Sequence, residues 1–294
     1  MLKKLGFIIY KLINFIDRLI FFLFKKKLIV WVNDLIHLNS YRTIEISKEK
    51  INFFVPNSLI NWRIETFYEK EPETLKWIDN FSTDKNNNLI FWDIGSNIGL
   101  YSIYCKIKHK NSKIIAFEPS TSNLRVLSRN IFINNFQSKI SIYPLPLTDK
   151  KNEFLSMNEQ SFIEGGALNS FGVEYNYEGK NFMPNMSYLL PGTSIDNLIE
   201  NNILQVPDYI KIDVDGTEHI ILNGASLILK NHKLKSILIE INENFDLQFQ
   251  EILRIMRENN FEISEKQNNT DLHNFDSSSK FSKTYNYIFK REIN

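Results

Sequence analysis

From residue 89 onward, short apolar runs alternate with amphipathic stretches, and this alternation constrains the fold more than any other feature. Residues 89–94 (LIFWDI), 113–117, 140–147, 209–214 (YIKIDV) and 236–241 (SILIEI) read as strands. Near-continuous apolar runs of this length belong to strands covered on both faces, which are usually parallel and joined by crossover helices. Residues 98–108, 123–134, 194–200, 217–230 and 247–259 supply helical stretches between and after them. Residues 261–266 and 285–290 then close the chain as two strands joined by a polar loop. The expected fold class is α/β, with a mostly parallel sheet.

Upstream the pattern differs, and three segments follow: 1–27, 28–88 and 89–294. Residues 43–55 (TIEISKEKINFFV) alternate enough to predict a β-hairpin. Residues 71–78 predict a helix with Pro72 and acids in its first turn, where the helix dipole favours negative charge. The polar run 82–88 ends the extension. Residues 2–24 (LKKLGFIIYKLINFIDRLIFFLF) predict a helix with Lys4, Lys11, Arg18 and Lys25 in one stripe at intervals of seven. Charges inside the run make a membrane span costly, and no small-residue cleavage site follows it. Two readings stay open: a helix lying in a membrane interface, or one docked on its own domain or a second subunit.

Net charge of +1 gives no overall field that would attract a nucleic-acid backbone, so no nucleic-acid partner is expected. The single cysteine, Cys105, excludes an internal disulfide and a Cys-rich zinc site, which fits a cytoplasmic chain, at the inner face of the membrane if the first helix inserts. The composition leaves oligomeric state open.

The turn after the first parallel strand, Asp93-Ile94-Gly95-Ser96-Asn97-Ile98-Gly99, points to chemistry. Glycines there let backbone approach a ligand without a Cβ clash, and the helix behind presents free N–H groups. A dinucleotide site wants G-x-G-x-x-G for its pyrophosphate, but Asn97 stands where the second glycine belongs. The acid at the strand end, Asp93, would repel pyrophosphate and suits a cationic ligand or an ammonium group. The combination favours S-adenosylmethionine over a nicotinamide cofactor. Glu118 ends the next strand, where a carboxylate accepts hydrogen bonds from both ribose hydroxyls of a nucleoside.

A third group, Lys211-Ile-Asp213-Val-Asp215-Gly-Thr-Glu218-His219, falls at the carboxyl end of a strand, where open α/β sheets bind ligands. Adjacent acids raise one another's pKa, which suits a proton acceptor. They could equally hold a divalent cation, although no metal is specifically indicated, or form a plain turn and helix cap. Asp213, Glu218 and His219 are the catalytic candidates, with Glu240 behind them. A polar segment, 158–192, is too long for a plain loop; it could lid the acceptor site with its aromatics or be a surface excursion. His109, His232 and His273 read as surface residues.

WDIGSNIGLYS, AFEPS with NIFINN behind it, IKIDVDGTEHIILNGA and ILIEIN together resemble the FkbM-type methyltransferases. The resemblance extends upstream to WRIETFYEKEPETLKWIDNF and leaves the first 27 residues outside it. It implies a Rossmann-like class I methyltransferase sheet with an antiparallel last strand. It also implies S-adenosylmethionine-dependent O-methylation, with sugar hydroxyls among the acceptors. By resemblance Asp93, Gly95, Asn97 and Gly99 would contact the methionine end, Glu118 the ribose, and Thr148-Asp149 would lie near the adenine. Asp213 would face methyl transfer. The expected function is therefore methylation of a sugar, glycan or glycolipid precursor. The alternative is a membrane-recruited scaffold that kept the fold without catalysis.

Overall fold

In the computed structural model, which describes residues 2–268 and 283–292, the chain opens on helix α1 (Leu2–Phe24). It turns at Lys25 (φ +56°) into α2 (Leu28–Asn39), which packs on α1. Strands β1 (Tyr41–Ile46) and β2 (Glu49–Phe54) form the expected hairpin. Its two loop residues, Ser47 and Lys48, both have positive φ, the geometry that matches strand twist in a two-residue turn. Helices α3 (Ser58–Glu65), α4 (Phe67–Lys70) and α5 (Pro72–Asp79) follow. Asn57 caps α3 by accepting the Ile60 N–H, and Pro72 sits in the first turn of α5.

The sheet begins with β3 (Leu89–Ile94), α6 (Leu100–Lys108), β4 (Ser112–Phe117), α7 (Thr121–Ile133) and β5 (Ile140–Tyr143). Strand β5 stops four residues short of the expected Leu147. Pro144 and Pro146 lack the N–H a ladder needs, so they end it. The segment expected to be a lid or a surface excursion contributes strands to a second sheet. Strands β6 (Glu153–Glu159), β7 (Ser170–Phe171) and β8 (Met186–Gly192) lie in the order β7-β6-β8. The chain returns through α8 (Ile195–Glu200) to β9 (Tyr209–Ile212). The helix expected over 217–230 is split into α9 (Glu218–Asn223) and α10 (Ser226–Leu229). Between them a Cβ on Gly224 would stand 2.4 Å from the Thr148 carbonyl oxygen, a contact that only glycine allows. Strand β10 (Ser236–Asn242), α11 (Asp246–Glu258), β11 (Phe261–Asn268) and β12 (Thr284–Arg291) complete the chain.

The main sheet has the order β11-β12-β10-β9-β3-β4-β5. Strands β10, β9, β3, β4 and β5 are parallel, and β12 inserts antiparallel between β11 and β10. This is the Rossmann-like arrangement expected. Alternate residues serve two cores. Phe91, Ile114, Tyr209 and Leu238 pack on one face with the hairpin and with Phe67, Trp77 and Ile78 of the extension. Trp92, Ile115, Ile210 and Ile239 pack on the other with α8, α9 and α11. Residues 44–81 are thus part of the cover of the first face.

His232 is exposed, as expected. His109 is half-buried rather than fully exposed: its ring stacks on Phe81 and its Nε2 is 2.8 Å from the Ile78 carbonyl oxygen. His273 and the expected polar loop before β12 lie outside the described residues.

Candidate active site

The chain crosses from β5, at one edge, back to β9, on the far side of β3. The carboxyl ends of β3 and β9 therefore form the switch point at which open α/β sheets bind ligands. A cavity of about 380 Å³ opens there. Gly95, Asn97, Glu118 and Asp213 form part of its wall, as do Lys70, Glu71, Tyr101, Lys211, Asp215 and Glu240.

The glycine turn is held by its neighbour strand: the N–H groups of Gly95 and Ser96 both donate to the Phe117 carbonyl, at 3.0 and 2.9 Å. Gly95 has φ +82°, and a Cβ there would stand 1.8 Å from the Asp213 carbonyl oxygen. The expectation that this glycine clears space for a ligand therefore changes. It clears space for the backbone of the neighbouring strand's end. Gly99 likewise abuts Leu127 of α7.

Glu118 is buried, and its two oxygens accept the backbone N–H groups of Asn97 (2.7 Å) and Ser120 (2.8 Å). Burial pushes its carboxyl up to about 8 against the pull of those bonds. Asn97, itself at φ +50°, donates from Nδ2 to the Gly166 carbonyl, which Asn123 also reaches. Arg63 Nε donates to the Gly165 carbonyl at 2.8 Å, and the Leu168 N–H donates to Asp215 Oδ2 at 2.7 Å. Residues 165–168 thus form a strap tied across the cavity from both sides. Phe171 lies in the wall beyond them, whereas Tyr175, Tyr177 and Tyr188 of the expected aromatic lid do not.

A layer of charge faces the cavity floor. Asp93 of β3 pairs in register with Lys211 of β9, so both side chains leave the sheet on the first face. Lys211 Nζ lies 2.5 Å from Asp213 Oδ2 and 4.8 Å from the Tyr101 ring centroid. Beside it, Lys70 Nζ lies 3.0 Å from Glu71 Oε1. Burial disfavours the Glu71 charge, but Lys70 and Lys211 outweigh it and hold the carboxyl down to about 2. On Asp215 and Glu240 burial prevails: with the Asp213 charge it pushes Asp215 up to about 6 and raises Glu240 well above the usual carboxylate range. Among the described residues, Asp213, Asp215 and Glu240 bring carboxylate oxygens within 4.8 Å of one another. Hard oxygen donors at that spacing could hold a divalent cation.

Five of the expected site residues stand off the cavity wall. Asp93 is buried beneath it, accepting the Ser102 hydroxyl at 2.6 Å. Gly99 supports the turn from behind. Asp149 is exposed, two residues beyond the wall residues Leu145, Pro146 and Leu147, and accepts a 3.1 Å bond from its neighbour Thr148 Oγ1. Glu218 points into its own loop, where it accepts the Val214 and Gly216 N–H groups at 3.0 Å and a bond from Gln248. His219 packs edge-on to Phe245 and faces a separate surface hollow lined by Leu247, Glu251 and Arg254. The grouping of Asp213, Glu218 and His219 into one catalytic centre is therefore corrected. Asp213 stands with Asp215, Glu240 and Lys211 instead.

The profile of the Methyltransferase FkbM domain matches residues 93–263, more than half of the chain. The chain belongs to the FkbM methyltransferase family. It is 29% identical over 163 residues to the methyltransferase sdnD of Sordaria araneosa, covering 47% of this chain and 61% of that protein. It is 23% identical over 235 residues to the hexuronic acid methyltransferase AglP of Haloferax volcanii, covering 76% of this chain and 88% of that protein. Among solved structures it is similar to an FkbM methyltransferase from Methylobacillus flagellatus, with a TM-score of 0.46 and 15% identity over 78% of this chain and 52% of that one.

In this FkbM-family chain, Lys70, Glu71, Tyr101 and Lys211 were missed by sequence reasoning. Lys211 carried a usable signal: YIKIDV puts a lysine inside an otherwise apolar strand, and a charge is buried there only with partners. Glu240 in SILIEI carries the same signal. Glu71 had none, because an acid beside Pro72 at a helix start already has a local explanation.

Proposed function

We propose that the chain is an S-adenosylmethionine-dependent O-methyltransferase acting on a hydroxyl of a sugar or glycan precursor. The observation that carries this reading is a single cavity lined by Glu118 and Asn97 on one side and the Lys211–Asp213 pair on the other. The residues present fit the cofactor. Asn97 Oδ1 is a buried acceptor with no hydrogen-bond partner, and an ammonium group is a donor that satisfies it. Each Glu118 oxygen accepts one backbone N–H and retains acceptor capacity for a ribose hydroxyl. Leu145, Leu147, Met157 and Phe171 supply apolar wall for a purine ring.

When bound, S-adenosylmethionine supplies a methyl group activated by its sulfonium. The remaining work belongs to the chain. The strap over residues 165–168 restricts water, and the cavity aligns the acceptor oxygen, an effect worth up to about 7–11 kcal/mol of barrier in well-oriented systems. The acceptor hydroxyl gives its proton to the carboxylates at the floor. Asp215, near 6, has the proton affinity such a group needs at neutral pH. A sugar acceptor is supported by AglP, a hexuronic acid methyltransferase, and by Trp62 at the wall, whose ring suits the apolar face of a sugar.

The test is methyl transfer from labelled S-adenosylmethionine to a panel of hexoses and hexuronic acids, with the methylated atom located by NMR. Calorimetry that detects no S-adenosylmethionine binding would overturn the cofactor assignment. Binding with label appearing only on nitrogen or carbon acceptors would overturn the hydroxyl assignment.

A further inference from the structure

We infer that α1 and α2 form a hairpin that lies in the interface of an anionic lipid bilayer. Along α1, Leu5, Ile8, Leu12, Phe15, Leu19 and Leu23 recur every three or four residues and share one face. All six are exposed, and an apolar face of that length on a folded chain marks an interaction surface. Lys4, Lys11, Arg18 and Lys25 run along its flank. On the opposite side α2 packs against α1 around Asp17, the one acid of the segment, which is buried: its Oδ1 accepts the Ile29 N–H at 2.8 Å and so caps α2. Lys27, at the N-cap position, makes no such side-chain bond. Helix α2 adds Trp31, Leu35 and Leu38, all exposed and spaced along one face. Tryptophan is enriched at the boundary between lipid and water.

Charge decides the occupant. Residues 1–27 hold six lysines, Arg18 and Asp17, a net charge of 7 − 1 = +6, while the whole chain carries +1. The other 267 residues therefore carry 1 − 6 = −5. With Asp34 of α2 the whole hairpin carries 7 − 2 = +5, and a second copy would bring the same charge against this face and repel it. An anionic bilayer complements both the apolar face and the cationic flank. No described helix is long and apolar enough to cross a membrane, so the hairpin lies along the surface.

Full-length protein should sediment with phosphatidylcholine vesicles containing phosphatidylglycerol, and far less with phosphatidylcholine alone. Salt should release it. The triple variant Lys4→Gln/Lys11→Gln/Arg18→Gln should bind about a hundred-fold more weakly, at about five-fold per basic residue. Leu12→Glu/Leu19→Glu should abolish binding. Both variants should keep the wild-type thermal transition, since these side chains are exposed and remote in sequence from the cavity residues. The inference is overturned if the folded wild-type protein ignores anionic vesicles, or if either variant binds them as wild type does. Concentration-dependent self-association lost in the leucine variant, without vesicle binding, would assign the face to a second copy instead.

Discussion

The ammonium of Lys211 lies 2.5 Å from Oδ2 of Asp213, and the lysine side chain is only 1% exposed. A lysine is rarely buried at mid-sheet unless paired. Burial works against its charge, but Asp213, Glu71 and Asp93 outweigh it and hold its pKa above the ordinary lysine value. The lysine in turn offers its charge to three acids, Asp213 and Glu71 at the cavity wall and Asp93 beneath it. Replacing it, as in Lys211→Met, leaves Glu71 and Asp93 buried with less countercharge. Breaking a buried pair by removing one partner costs about 3–5 kcal/mol. Urea unfolding should show a loss near the lower end, because Asp213 is partly exposed and Lys70 still faces Glu71. An unchanged midpoint would mean the acids are neutralised in some other way.

Under the proposed cofactor assignment, Glu118 should link S-adenosylmethionine affinity to pH. Its carboxyl sits at about 8 when folded, raised from the usual 4.5, so the folded chain holds that proton more tightly than the unfolded one. Its contribution to stability is therefore full below about 4.5 and is lost as pH rises through about 8. Ribose hydroxyls donate best to the ionised form, so S-adenosylmethionine affinity should rise with pH, by up to about ten-fold per unit below 8, and level off above it. Titration calorimetry in buffers of different ionisation enthalpy should detect proton release on binding. Glu118→Gln should flatten the profile. A wild-type affinity independent of pH between 6 and about 8.5 would show that ribose recognition does not use this carboxylate.

Gly95 tests whether the turn serves packing. With φ +82° and the Asp213 carbonyl 1.8 Å from any Cβ, even Gly95→Ala must displace the end of β9. Strained backbone alone costs about 1–3 kcal/mol. Thermal melting without ligand should already show the loss. If the alanine variant melts like wild type and loses only cofactor affinity, the glycine clears space for the ligand after all.

The sheet was legible because both of its signals are local. Apolar runs such as LIFWDI and SILIEI can be buried on two faces only as central strands, and the helices between them fix the crossovers. What escaped was set by distant partners. Nothing near β6 in sequence announces that Met186 to Gly192 will pair with Glu153 to Glu159, so a two-stranded ladder read as a lid or an excursion. The acids after β9 were legible as a cluster but not as individuals. Alternation puts Asp213 on the same face as Lys211, whereas Asp215 turns through φ +63° and Glu218 folds back onto its own loop. Sequence spacing cannot show that reversal.

Glu218 should behave as a brace. Truncation to alanine strands the Val214 and Gly216 N–H groups and should destabilise the chain by about 1–3 kcal/mol. Glu218→Gln keeps an acceptor oxygen, so it should recover much of that stability and leave the shape of the pH–rate profile unchanged. Disappearance of one limb of that profile in the glutamine variant would restore Glu218 as a proton acceptor.

Asp213→Asn should separate binding from chemistry. Asp213 lies on the cavity wall, one of its oxygens is engaged by Lys211, and its partners Asp215 and Glu240 stand within one carboxylate cluster. Asp213→Asn preserves shape but removes the charge that orients Lys211 and attracts an acceptor proton. A positioned base contributes typically 10²–10⁴-fold, so turnover should fall by about that factor while S-adenosylmethionine still binds. Metal dependence distinguishes the two chemistries the cluster permits. Activity abolished by chelator in the wild type and restored by magnesium or manganese would make the three carboxylates ligands of a cation. Activity indifferent to chelator, with the pH–rate profile shifted in Asp213→Asn, would make them a proton-accepting group. An undiminished rate in Asp213→Asn, with a deep loss in Glu240→Gln, would move the reacting oxygen across the floor to β10.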